Sequence, residues 1–418
     1  MNRKIGLTGL LVASTLSMIG SRMTMVALPW LVLVSTGSAG KTGLVGAAEL
    51  LPYVLACALG GPVVDRFGGR RISIAADLLS VVAVGAIPLL HSGGHLGFGA
   101  LVGLVAITGA LRGFGDTAKS GAMFPQVVAQ SGVEMTRAAS LVDGFRRGAG
   151  MTGALLAGPL IVWLGDAALV LAIDAATFGL CAVLIALLVR VPGRVEPADG
   201  EHEPYGQALH AGIRYLRGDK LVLGLMLILF VTNMLDQGAS AVLYPLWARD
   251  IFGSAAGIAL VGAPFSAGAV LGNIGFSILA PRLPRWILFS VGFLIAGAPR
   301  FFFLAADSPG WAIAVLGFVN GLAIAAVNPI LSAVFYERIP EEMQGRVNGI
   351  ASAVAFAGMP IGALLAGWLG ELGVEIALIA FGVLYLGATI APFIGRFWRE
   401  MDRRPARSVA AEPELVTV

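Results

Sequence analysis

The hydrophobic pattern divides this chain into long apolar runs separated by short polar breaks. A helix needs about 20 largely apolar residues to cross a hydrocarbon core about 30 Å thick. Twelve runs reach that length, at 6–34, 43–64, 72–91, 98–122, 138–164, 167–190, 220–247, 255–280, 286–306, 310–335, 346–370 and 374–395. The longest break follows the sixth run. It opens as a proline- and acid-rich linker (Pro192, Glu196, Pro197, Asp199, Glu201, Glu203) and closes in an amphipathic stretch with Arg214 and Arg217. Such a stretch is expected to lie along a membrane surface. The pattern predicts an all-α membrane protein of twelve transmembrane helices arranged as two six-helix pseudo-repeats. The halves are 1–190 and 220–395, with a cytoplasmic linker at 191–219 and a cytoplasmic tail at 396–418.

A repeat supports the two halves. The hexapeptide GALLAG occupies 153–158 and recurs at 362–367, and the same offset of 209 relates Arg137 to Arg346, each opening the span that carries the repeat. Parallel six-helix repeats are a transporter architecture with the substrate site at their interface, near the midplane.

Composition narrows the class further. The chain is 57% hydrophobic and 13% charged, where soluble domains carry about a quarter charged residues. Its 57 glycines suit close helix approach in lipid. No basic patch interleaved with aromatics argues for nucleic acid. Cys57 and Cys181 fall inside apolar runs and read as packing residues. His91 and His95 flank glycines in a short loop without further ligands, so no metal or cofactor is expected. Neither HExxH nor GxSxG occurs, and no enzymatic centre is predicted. Arg3 and Lys4 precede an apolar run that continues to Val34 and reads as an uncleaved first span.

Placement of arginine and lysine sets the orientation. They crowd the breaks on the side of both termini, with Lys119 counted among them. Only Lys41 and Arg249 lie on the other side, while Arg22, Arg112, Arg146, Arg147 and Arg300 fall within spans. The expected protein is a monomer in the cell membrane with both termini cytoplasmic, surrounded by lipid.

Between the second and third spans the chain reads GPVVDRFGGRR, from Gly61 to Arg71. Here it resembles the major facilitator superfamily, whose signature in this loop is G-x-x-x-D-R-x-G-R/K-R/K. Gly61, Asp65, Arg66, Gly68 and Arg70 match, while Gly69 replaces the first closing basic residue and Arg71 offers a substitute. The resemblance implies that Asp65 latches the halves together on the cytoplasmic side in an outward-open state. A carboxylate is favoured there near a helix N-terminus. In the fifth span, Gly150, Gly153, Gly158 and Pro159 resemble the glycine-rich, G-P-ending pattern of proton-coupled exporters, with Ala154 at a usual glycine position. Ordinary helix packing explains those glycines as well. ALPWLVL at 27–33, AIDAATF at 172–178 and GRVNGIASAVA at 345–355 resemble the branch containing macrolide and siderophore exporters.

Ionisable groups at mid-membrane cost at least about 2.5 kcal/mol each and need a partner or a task. Glu49 and Asp236 lie deep, on different halves, with few evident basic partners, and are the sharper candidates for carrying a proton. A pairing of Glu49 with Arg22 is compatible with their depths. The resemblance marks Arg112, four residues before Asp116, as a cation that tunes such a carboxylate. Arg22 and Asp116 are further candidates for the coupling, while Asp77, Asp116, Asp143, Arg146, Arg147 and Asp174 also read as a structural charge network. Trp30, Tyr53 and Asn233 are candidates to line a cavity, although core packing accounts for each equally well. The expected function is proton-coupled export of an amphipathic small molecule. An uptake symporter or uniporter of the same fold, a lipid flippase and a non-transporting receptor stand as alternatives.

Overall fold

The computed structural model describes residues 5–191, 213–279 and 284–402. Twelve helices among them are long and apolar enough to cross a membrane. They are α1 (Ile5–Thr36), α2 (Ala39–Phe67), α3 (Gly69–Ser92), α4 (Phe98–Ser131), α5 (Met135–Leu164) and α6 (Ala167–Leu188) in the first half. The second half holds α7 (Lys220–Asp250), α8 (Ala256–Leu279), α9 (Arg285–Ala305), α10 (Gly310–Arg338), α11 (Glu341–Leu372) and α12 (Val374–Ile394). Large apolar side chains such as Leu59, Val82, Leu89 and Trp163 point outward, as lipid-facing surfaces require. Residues 213–218 of the amphipathic stretch are helical. Tyr215 there donates to the Arg338 carbonyl at 2.8 Å, tying the stretch to the end of α10.

α4 runs well past the end predicted for its span, and it shares with α7 the feature that allows this. In α4 and α7 a π-helical segment, Ala118–Met123 and Ala239–Leu243, precedes a proline, Pro125 and Pro245. A proline ring collides with the carbonyl four residues earlier. A widened turn moves that carbonyl aside, and the helix continues. α4 therefore extends to Ser131, which corrects the placement of Lys119. It is not a loop charge but a buried one inside α4, its Nζ 2.8 Å from Asp77 Oδ1.

The pseudo-repeat is visible in which helices touch. In the first half α1 packs on α5 and α6, α2 on α4, and α3 on α4 and α6. The second half repeats each pairing six helices later, as α7 with α11 and α12, α8 with α10, and α9 with α10 and α12. Across the halves α2 meets α11 and α5 meets α8.

Both copies of GALLAG serve these contacts. A Cβ on Gly153 would lie 2.4 Å from the Ile19 carbonyl of α1, and one on Gly362 would lie 1.7 Å from the Met234 carbonyl of α7. Each first glycine thus seats its helix on the first helix of its own half. The last glycines reach across instead. Gly158 lies against the Ala255 carbonyl at the start of α8, and Gly367 against Ala39 and Gly43 of α2. Pro159 follows at once inside α5. Glu371, one turn beyond Gly367, accepts from the Ser38 hydroxyl at 2.5 Å and the Gly40 amide at 2.7 Å, closing the N-terminus of α2. Arg249 of α7 donates to the Leu33 carbonyl of α1. These contacts between halves lie toward the face away from the arginine-rich loops.

Candidate functional site

α2 and α4 are held together by a two-rung ladder. Gly109 and Gly113 let the backbones meet, since a Cβ on either would strike the carbonyl of Glu49 or Tyr53. One turn beyond each contact a side-chain pair forms. Arg112 binds the Glu49 carboxylate in a salt bridge, and Tyr53 donates to Asp116 at 3.1 Å. The Arg112 guanidinium also lies over the Tyr53 ring, 5.5 Å from its centre. Spacings of four residues on two parallel helices give the matching rungs. Glu49 is 7% exposed, so the pair is largely removed from water.

This ladder corrects two expectations. Glu49 does have a basic partner, and it is Arg112, not Arg22. The reason is the glycine contact, which brings α4 closer to Glu49 than α1 comes. The only polar contact of Arg22 among the described residues is with Met25 Sδ at 3.6 Å. Asp236 is also paired, with Arg300 of α9, and Tyr385 of α12 donates to its other oxygen at 3.4 Å. Arg300 is sandwiched against the Phe301 and Tyr385 rings at 4.8 and 5.1 Å. Gly297 makes this cluster compact, because a Cβ there would lie 2.1 Å from the Tyr385 ring.

The expected charge network resolves into separate units. Asp77 belongs with Lys119. Asp174 accepts from Thr24 at 2.6 Å and from Thr177 at 3.1 Å, against Gly20 of α1. Asp116 belongs to the ladder, and the side chains of Asp143 and Arg147 lie outside the described residues.

A cavity of about 400 Å³ opens beside the ladder. Arg22, Tyr53, Arg112, Asp116, Lys119 and Arg146 contribute its polar wall, and Leu11, Met18, Phe124, Phe145 and Phe178 its apolar one. Of the cavity candidates, Tyr53 lines it. Trp30 packs among apolar side chains of both halves, and Asn233 donates to the Ala355 carbonyl at 3.3 Å, joining α7 to α11. Among the described residues no group of histidine, cysteine or carboxylate side chains could hold a metal ion.

The loop signature lies at the arginine-rich face. Gly68 turns the chain at φ +88° between α2 and α3. The departure at Gly69 has a packing reason, since a Cβ there would lie 2.9 Å from Ala122 in the π segment of α4. Arg70 donates to the Val189 and Ala186 carbonyls at 2.8 and 2.6 Å, capping α6. Asp65, Arg66 and Arg71 are exposed, Arg66 lies over the Phe67 ring, and Gly61 faces open space.

Sequence reasoning passed over Arg300, Tyr385, Lys119 and Glu371. Arg300 carried the one available signal, as an arginine within a span. The others have partners distant in the chain, which no local pattern marks.

Two six-helix halves, with a polar-walled cavity lined by the first of them, define a multi-pass transport protein. The chain belongs to the Major Facilitator Superfamily, whose sequence profile matches residues 10–236 and 226–417. It is 30% identical to the multidrug efflux pump Tap of Mycobacterium tuberculosis over 409 residues, 96% of each chain. It is 23% identical to macrolide efflux protein A of Streptococcus pyogenes, over 92% of this chain and 95% of that one. To the enterobactin exporter EntS of Salmonella choleraesuis it is 26% identical, over 94% and 93%. The fold matches the crystal structure of the nucleoside transporter NupG (D323A mutant) with a TM-score of 0.76 at 14% identity, covering 93% of this chain and 98% of that one.

Proposed function

We propose that this protein exports amphipathic small molecules from the cell in exchange for protons, by alternating access. The relatives named as efflux pumps and exporters, matched over nearly their whole length, support the direction. The arginine-rich face is the cytoplasmic one on this reading. The contacts between halves then seal the outer side, and the cavity receives substrate from the cytoplasm.

The observation that carries the coupling is the Glu49–Arg112 pair, whose arginine lines the cavity. A carboxylate neutralises Arg112 and holds α2 to α4. A protonated carboxyl has no Coulombic hold on it, which frees the guanidinium to change partners. Proton and substrate then compete through one cation. Asp236 with Arg300 supplies an analogous pair in the second half. Asp65 takes the role of cytoplasmic latch when the halves rock the other way.

The test is transport into inside-out vesicles under an imposed pH gradient. Export by this mechanism stops when the gradient collapses, and substrate addition releases protons from the vesicle lumen. Transport indifferent to the gradient would refute the exchange. In Glu49→Gln, substrate binding should persist while gradient-driven transport is lost.

A further inference from the structure

Among the described residues, the cavity holds more positive charge than its carboxylates satisfy. Four cations face it, one from α1 (Arg22), two from α4 (Arg112 and Lys119) and one from α5 (Arg146). Arg112 is committed to Glu49 and Lys119 to Asp77. Asp116, the remaining carboxylate of the wall, is bonded to the neutral Tyr53 hydroxyl. Among the described residues Arg22 has only its weak contact with Met25 Sδ, and Arg146 has no carboxylate within ion-pair distance. The positive charges of Arg112 and Arg146 both bear on Arg22, with partial relief from Asp116. Gly150, one turn beyond Arg146, lies beside the Arg22 guanidinium, where a Cβ would make ordinary van der Waals contact with Nε at 3.8 Å.

Both guanidinium groups are exposed to the cavity, and cations that face a cavity within a membrane mark a substrate path. We propose that Arg22 and Arg146 form an anion-binding subsite, and that the transported molecule is an amphipathic organic anion. The assignment rests on the export reading above for its transport step. An acidic group of the carboxylate, sulfonate or phenolate type lies between the two guanidinium groups, whose flat donor faces suit it. The apolar body of the ligand lies against Met18, Phe145 and Phe178. A cationic amphiphile of the same size meets two arginines and finds one carboxylate, already bonded to Tyr53. It is disfavoured.

Two dyes with the same xanthene frame and opposite charge separate these cases. They are fluorescein, an anion, and rhodamine 6G, a cation. Binding to the purified full chain is followed by fluorescence anisotropy, and movement by dye uptake into inside-out vesicles. Wild-type protein should bind fluorescein at least about tenfold tighter than rhodamine 6G, the scale of one charged hydrogen bond. Arg22→Gln with Arg146→Gln should abolish that preference, and Arg22→Lys with Arg146→Lys should retain most of it. Rhodamine 6G binding as tight as in the wild type, or tighter, in the glutamine variant reports an intact cavity. Absent fluorescein binding, tighter rhodamine 6G binding by the wild type, or equal loss of both dyes in the glutamine variant overturns the subsite. Arginine-dependent fluorescein binding without movement of either dye keeps the subsite and removes the export reading. Movement of rhodamine 6G without arginine-dependent fluorescein binding does the reverse.

Discussion

At the residue scale, each half of the molecule stakes a membrane-embedded arginine on one carboxylate. Removing one partner of a buried pair leaves the other charge stranded, at a cost of about 3–5 kcal/mol. Glu49 and Arg112 are both largely withdrawn from water, with side chains 9% and 15% exposed, so that range applies to them. Arg112→Met should therefore lower the melting temperature of detergent-purified protein sharply, while Glu49→Gln with Arg112→Met recovers most of the loss. Equal melting temperatures for the single and double variants would mean the pair contributes nothing to the fold. The second rung is a neutral-to-carboxylate hydrogen bond, and Tyr53→Phe should cost only about 1 kcal/mol. Asp236 is 42% exposed at its side chain. Solvent screens it more, so Arg300→Met should destabilise less than Arg112→Met in the same measurement.

At the element scale, glycine positions decide where helices meet, and a Cβ acts there as a wedge. Gly362→Ala places a methyl group 1.7 Å from the Met234 carbonyl. α11 must then move away from α7, and overpacking of this kind costs about 1–3 kcal/mol. Gly61→Ala meets nothing and replaces a poor helix former by a good one, worth up to about 1 kcal/mol in stability. If the cytoplasmic latch operates, that stable variant should still lose transport, because its glycine is needed when the halves close on that side. Melting and transport measured together distinguish the two outcomes. The same elements show what the sequence made legible. Twelve spans and their repeat followed from hydropathy, and GALLAG marked the contact glycines of both halves. The ladder was half legible, since all four of its residues were singled out. Their pairing was not, because Arg22 and Arg112 have compatible depths and only the Gly109 contact chooses between them. The extension of α4 was illegible for a related reason. A lysine near the end of an apolar run reads as a boundary, and its partner Asp77 is on another helix.

At the scale of the whole molecule, the helix pair α2–α11 carries a carboxylate device at each end. At the arginine-rich end Asp65 of α2 is exposed. At the opposite end Glu371 of α11 closes the N-terminus of α2 through Ser38 and Gly40. Glu371 sets a carboxylate at the C-terminal end of one helix against the N-terminus of a helix from the other half, where unpaired amides and the helix dipole favour negative charge, and the proposed latch would use Asp65 in the same way. Glu371 therefore stabilises the conformer whose halves meet away from the arginine-rich face. Capping contacts of this kind are worth about 1 kcal/mol, enough to shift a two-state population about fivefold. Glu371→Ala should move the population toward the opposite conformer, in which the cavity no longer faces the arginine-rich side. Ser120 lines that cavity and can report on it. In protein freed of Cys57 and Cys181, Ser120→Cys should react with a membrane-impermeant maleimide applied from the arginine-rich side. Adding Glu371→Ala should slow that reaction about fivefold, by the same population shift. Adding Asp65→Asn instead should leave it unchanged or faster, since the proposed latch it would remove belongs to the other conformer. An unchanged rate with Glu371→Ala would show that the contacts of Gly158, Gly367 and Arg249 hold this seal without Glu371.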